Sequence, residues 1–151
     1  MSTIKFTIKS FNELSLLELY GVLQLRSHVF IVEQNCVYQD IDGKDEKALH
    51  VLGIFEDKIV GYCRLFKSND YFKNASIGRV IMHPEVRAKK WGNLLMDTAI
   101  NAVKIKFNES KITISAQLYL QKFYESHGFY IVGDSYLEDD IPHIEMLADN
   151  L

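Results

Sequence analysis

Between Ala75 and Phe107 the chain passes from an apolar strand through a short basic turn into an amphipathic helix. That order of elements commits the next strand to lie parallel to the first. Ile77 to Met82 reads as the buried strand, and His83-Pro84 stops it, because proline cannot donate to a ladder and restrains the residue before it. Arg87 to Asn93 follow, small and basic with a single glycine. In the helix beyond, Met96, Ile100, Val103 and Phe107 recur at helical spacing, while Asn93, Asp97, Asn101, Lys104 and Asn108 fill the other face. A tight turn feeding a helix N-terminus gathers free backbone N–H groups and the positive end of the helix dipole, which suits phosphate. Arg87, Lys89 and Lys90 add full charges there. An ordinary βα connection with a solvated basic turn has the same spacing, and one glycine does not separate the two readings.

With 151 residues, all of 1–151 is expected to form one domain with a sizeable core. A net charge of −3 argues against a nucleic-acid partner held by a basic surface. No apolar run reaches the ~20 residues of a membrane span and the N-terminus does not read as a signal peptide, so no membrane partner is expected. Cys36 and Cys63 lie far apart with no CxxC pattern, which reads as free thiols in a cytoplasmic protein. No His and Cys cluster has metal-ligand spacing, so no metal is expected.

Taken in order, Thr3 to Lys9 alternates as a half-buried strand, with Ile4, Phe6 and Ile8 on one face. Ser15 to Glu18 fits a capping box for a helix reaching about Phe30, with Leu16, Leu19, Leu23 and Phe30 on its inner stripe. Ile31 to Asp45 has no clean period, and an irregular stretch of that size in a compact domain is often functional. His50 to Phe55 and Ile59 to Phe66 read as strands joined by a short hairpin at Glu56-Asp57-Lys58. Lys67 to Asn74 is a polar loop. Lys111 to Ala116 alternates as a fifth strand, parallel to the fourth in a right-handed βαβ unit. Gln117 to His127 reads as a short helix ended by Gly128. Phe129 to Val132 and His143 to Leu147 are the last strands, separated by an acidic turn from Tyr136 to Ile141.

This β–α–βββ–α–β–α–ββ order resembles the GNAT superfamily of acetyl-CoA-dependent N-acetyltransferases. Val80 to Arg87 looks like that family's fourth strand and the start of its pyrophosphate loop. Arg87-Ala88-Lys89-Lys90-Trp91-Gly92 aligns with its Q/R-x-x-G-x-G/A signature, and Phe123-Tyr124-Glu125-Ser126-His127-Gly128-Phe129 matches its FYxxxGF. Val32-Glu33-Gln34-Asn35-Cys36, Tyr38-Gln39-Asp40-Ile41-Asp42-Gly43, Ile77-Gly78-Arg79-Val80 and Ile141-Pro142-His143-Ile144 are similar to the ElaA-like branch. The resemblance covers nearly the whole chain. It implies an α/β fold: a mixed, mostly antiparallel sheet of about seven strands with the fourth and fifth parallel and splayed for acyl-CoA, flanked by about four helices. Lys90 stands where most of the superfamily has the first glycine of the loop. A φ above zero there would cost a lysine energy. The ElaA-like branch has lysine too, so the resemblance implies a variant loop whose lysine supplies charge to a phosphate; a weakened site is the alternative.

The implied reaction moves acetyl from acetyl-CoA to a primary amine of a small molecule or peptide, by direct attack in a ternary complex. The resemblance implies that backbone N–H groups of Ala88 to Asn93, with Arg87, hold the cosubstrate. Val80, Ile81 and Met82 pair with its pantetheine arm, and a backbone N–H of Ile81 or Met82 serves the oxyanion. Tyr124 is the implied acid for the departing thiolate. Gln117 either bonds the pantetheine or only begins a helix. For the base, Glu33, His143 and His50 are all candidates, a lone histidine being more often structural, and waters are an alternative to all three. Asp40, Asp42, Asp45 and Glu46 either attract a cationic amine or are solvated, the last two especially. Arg26 and Arg79, in apolar surroundings, need carboxylate partners such as Glu33 or Asp42, or bind an acceptor carboxylate. Monomer and homodimer both stay open, and the rival readings are an acyl-CoA-binding sensor without turnover and a protein-interaction module.

Overall fold

The computed structural model describes residues 2–151. Strands β1 (Lys5–Ser10), β2 (Leu49–Phe55), β3 (Lys58–Phe66), β4 (Ala75–Met82), β5 (Ile112–Gln117), β6 (Tyr130–Ile131), β7 (Tyr136–Glu138) and β8 (Ile141–Ala148) form one sheet. Its order is β1-β2-β3-β4-β5-β8-β6, with β7 also on β8. Every pairing is antiparallel except β4 with β5. Helix α1 (Leu16–Arg26) continues as π-helical turns over Ser27–Glu33. Helix α2 (Gly92–Lys106) supplies the crossover between β4 and β5, and α3 (Gln121–Glu125) follows a 3-10 turn at Leu118–Leu120. The sheet therefore has one strand beyond the seven anticipated, because part of the acidic turn pairs with β8 as β7.

Two-residue hairpins set the registers at both ends. Glu56-Asp57 joins β2 to β3 and Asp139-Asp140 joins β7 to β8, and all four residues have positive φ. That is the primed-turn geometry whose twist matches paired strands, with acidic residues where glycine or asparagine is commoner. Helix α3 is shorter than the anticipated Gln117 to His127: its C-cap is Ser126, and Gly128, at φ 93, turns the chain two residues further on.

The sheet is covered on both faces. On one, Val22, Leu25, Val29 and Phe30 pack on Leu52, Tyr62 and Ile81. On the other, Leu95, Met96, Ala99 and Val103 of α2, with Tyr124 and Phe129, pack on Val51, Cys63, Leu65, Ile77 and Ile114. The first helix thus departs from expectation. Only Phe30 of the anticipated stripe is fully buried; Leu19 and Leu23 are half-buried, and Leu16 is exposed. The reason is that the helix meets the sheet through its C-terminal half, where the π-turns also carry it past Phe30.

β4 carries the feature that opens the site. Tyr62 faces Ile81 but Arg64 faces Gly78, so β4 holds one extra residue opposite β3. This is a β-bulge at Arg79, whose φ is 53. The bulge reverses the faces: Ile77 packs under α2 while Ile81, four residues on, packs under α1. β4 and β5 pair only at Ala75–Ile112 and Ser76–Thr113. Beyond those pairs they part, leaving the facing edges of both strands without a ladder partner.

Candidate active site

A cleft of about 1190 Å³ fills the gap between the splayed strands. Its floor includes Ile77, Gly78, Val80, Ile81 and Met82 of β4 and Ile114 and Gln117 of β5. A Cβ built on Gly78 would meet nothing within 4 Å, so the backbone of β4 is bare to the cleft there. An extended ligand with amide groups fits such a pair of unpaired edges by adding ladder hydrogen bonds.

At one end lies the basic turn. Pro84–Lys89 is a 3-10 helix, and Lys90 leaves it at φ 59 and ψ 27, in the left-handed region. The loop does need positive φ at this position, and lysine adopts it at a cost of roughly 1–2 kcal/mol. Arg87, Lys90, Gly92 and Asn93 line the cleft. Ala88, Lys89 and Trp91 do not. The Lys89 ammonium instead lies 5.1 Å from the Trp91 ring centre, and Trp91 packs edge-on against Phe55. Within the cleft, N–H groups for a phosphate come from the backbone of this turn and the first turn of α2.

Glu33 and Arg87, which sequence reasoning places in separate roles, form a two-pronged ion pair. Arg87 Nη1 and Nη2 donate to the Glu33 carboxylate at 2.8 and 2.6 Å, and its Nε donates to the Met82 carbonyl at 3.0 Å. The hydrogen bonds from Arg87 hold the Glu33 carboxyl below the usual carboxylate range, which makes it a weak proton acceptor. Across the same cleft Gln34 and Gln117 exchange amide hydrogen bonds at 3.2 and 3.3 Å.

Tyr124 lines the cleft from α3 and is 6% exposed. Burial pushes its phenol well above the usual tyrosine value, so it stays a proton donor throughout the working pH range. His143 lies opposite Gln117 on β8 and also lines the cleft. His50 does not. Its Nδ1 accepts from the Tyr62 hydroxyl at 2.6 Å and its Nε2 donates to the Asp45 carbonyl at 2.9 Å, so it is a satisfied core histidine.

The irregular segment is anchored by buried charge. Arg26 pairs with Asp40 and Asp45, Arg64 with Asp42 and Asp45, and Arg79 with Asp40 and, at 3.6 Å, Asp42. Arg26 and Arg64 are each 1% exposed. Three guanidinium groups and three carboxylates form one network that encloses Arg26, while Arg79 pairs through Nε and Nη2 and its side chain, 18% exposed, still lines the cleft. Asp45 is buried here, not solvated as one sequence reading had it, whereas Glu46 is exposed. Arg64 was missed because it sits unmarked in an apolar strand; a charged residue flanked by Cys63 and Leu65 was the available signal. The left-handed bulge at Arg79 aims its side chain at Asp40, so one residue both opens the cleft and ties down its wall.

The cleft's other end is acidic. Ser115, Glu138, Asp139 and His143 line it, and Cys36 donates its thiol to the Asp139 carbonyl at 3.2 Å. Glu33 and Asp42 are neutralised by arginines, but Glu138 and Asp139 have no arginine or lysine partner among the described residues. The cleft is thus basic at the turn and acidic at the hairpin.

A splayed parallel pair, a bulged strand and a basic turn at a helix N-terminus define an acyl-CoA transferase scaffold, and the chain belongs to the GNAT acetyltransferase family: the acetyltransferase (GNAT) domain model matches residues 18–149. Within that family it stands in the ElaA-like branch. It is 44% identical to Protein ElaA of Escherichia coli over 140 residues, covering 91% of this chain and 92% of that one. A UPF0039 protein of Schizosaccharomyces pombe is 41% identical over 148 residues, 97% of each. The crystal structure of E. coli ElaA superposes with a TM-score of 0.90, covering 97% of this chain and 99% of that one. That of an acyl-CoA N-acyltransferase from Pseudomonas aeruginosa gives 0.89 at 38% identity, covering 95% and 99%.

Proposed function

We propose that this protein transfers an acetyl group from acetyl-CoA to a primary amine by direct attack in a ternary complex. The observation that carries the reading is the cleft itself: two unpaired strand edges run from a cationic turn to an acidic hairpin, with a buried tyrosine beside them. Acetyl-CoA, when bound, supplies a carbonyl for the amine to attack and a thiolate that must leave. Lys90 and the first turn of α2 offer charge and N–H groups to its diphosphate, and Arg87 adds its charge once its pairing with Glu33 is exchanged. The backbone of Val80 to Met82 offers ladder hydrogen bonds to its pantetheine arm, and one N–H of Ile81 or Met82 serves the carbonyl oxygen as charge builds there. Gln117 is placed to bond the arm once its pairing with Gln34 is exchanged. Tyr124 donates a proton to the departing sulfur. His143 is the better placed of the candidate bases, because Glu33 is engaged with Arg87. Relatedness to an acyl-CoA N-acyltransferase at 38% identity supports the same class of chemistry.

Gly92→Asp tests the assignment of the turn. A Cβ at Gly92 would sit 3.6 Å from Met82 and 3.7 Å from Phe123, ordinary contact distances, so the variant should fold. Its carboxylate would face the diphosphate. Calorimetry should show CoA affinity falling by about tenfold or more, ~1.4 kcal/mol. Unchanged affinity in the folded variant removes the turn from the binding site.

A further inference from the structure

Glu138 and His143 face each other at the acidic end of the cleft. His143 Nδ1 is 2.7 Å from the Ile141 carbonyl, which can only accept, so Nδ1 carries a proton and Nε2 is the ring nitrogen left to the cleft. Nε2 in turn lies 3.4 Å from Glu138 Oε2, another acceptor. The His143 side chain is only 8% exposed, whereas that of Glu138 is 49% exposed toward the cleft. Glu138 is steadied from β5 by Ser115 Oγ, which donates to Oε1 at 3.3 Å and also bonds the Tyr136 hydroxyl. Tyr136 stacks on the His143 ring and feels Glu145 and Tyr71 besides Glu138. With His143 neutral, one cationic donor seated between Glu138 Oε2 and His143 Nε2 satisfies both.

On the reading of the protein as an amine acetyltransferase, we propose that Glu138 is the residue that selects and seats a cationic acceptor, holding its ammonium against His143 Nε2. The ammonium gives one proton to Nε2. The freed lone pair on nitrogen forms the C–N bond as the C–S bond of the thioester breaks. The electron pair left on sulfur takes the Tyr124 hydroxyl proton, and the second proton shed by nitrogen restores that hydroxyl. His143 returns its proton to solvent.

The test compares wild type, Glu138→Gln and Glu138→Asp in steady-state release of CoA from acetyl-CoA with butylamine, putrescine and lysine amide. Near neutral pH, Glu138→Gln should lower kcat/KM for the amines by about tenfold or more, leave KM for acetyl-CoA within about twofold, and be partly rescued in Glu138→Asp. The deficit should shrink as pH rises toward the amine's own pKa of ~10.4, where the acceptor arrives uncharged. A wild-type profile in Glu138→Gln, or a deficit that is the same at every pH, overturns the proposal. Should wild type bind CoA yet release none with any of these amines, the proposed function fails instead. The site is then read separately by nitrogen NMR of His143 in CoA-loaded protein titrated with ethylammonium chloride. A shift of Nε2 in wild type that is absent in Glu138→Gln supports it, and no shift in wild type overturns it.

Discussion

Tyr124 shows what a single residue contributes here and how it was found. Its place in FYxxxGF marked it in the sequence, whereas spacing alone favours a core aromatic. In the structure its ring packs at 5.2 Å and 6.1 Å from those of Phe123 and Phe129, and the residue also lines the cleft. Tyr124→Phe keeps the ring and deletes the proton. Stability should change little, and kcat should fall by about tenfold or more with KM for acetyl-CoA nearly constant. Steady-state kinetics on a responsive amine, with chemistry rate-limiting, checks this; a wild-type kcat would leave Tyr124 as packing alone. Glu33 was less legible. An isolated carboxylate in an irregular segment says nothing of its partner, and the pairing with Arg87 spans 54 positions of sequence. Glu138 was hidden for a different reason: it read as part of a turn, and only pairing with β8 brings it to His143.

Among the elements, β4 sets the site, and most of it could be read in advance. Its apolar run, the proline stop and the helix that follows predict a parallel β4/β5 pair, and that pair is found. The bulge was not legible, because a single extra residue leaves the apolar pattern ambiguous until β3 is laid beside it. Gly78, next to the bulge, gives the sharpest test of the splayed edge. It has open space where a side chain would go, so Gly78→Val should fold and fill the cleft with its own methyl groups. CoA affinity by calorimetry should drop by about tenfold or more, ~1.4 kcal/mol. A folded variant that binds CoA normally would place the pantetheine path elsewhere. The first helix was misjudged along its inner face because capping and period predict a helix but not which of its ends meets the sheet.

At the scale of the whole molecule, the arginine–aspartate network ties the segment between α1 and β2 to the sheet. Asp45→Asn leaves Arg26 and Arg64 short of a buried carboxylate, so denaturant unfolding should show a loss of about 3–5 kcal/mol, a large part of the roughly 5–15 kcal/mol a domain has. Loss of less than about 1 kcal/mol would mean that the network is not what holds the segment. The same region predicts acid sensitivity. Burial holds His50 below the usual histidine value, so the unfolded chain gains a proton near pH ~6.5 that the folded protein resists, and stability should fall as pH drops through that value. Asp42 is opposed by burial, but the hydrogen bonds and charge of Arg64 outweigh it and hold the carboxyl well below the usual range. Its contribution is therefore present above the unfolded value of ~3.9 and is lost as pH falls below it. Melting curves from neutral to acid pH should show both steps, and His50→Gln should remove the first. The central claim is that the cleft turns acetyl-CoA over on amines. Free CoA thiol should be followed with acetyl-CoA and a broad panel of amines, amino acids and peptides, in wild type and Gly92→Asp. The account predicts amine-dependent thiol release by wild type that the variant loses; wild type that binds CoA tightly but releases none with any amine would contradict it.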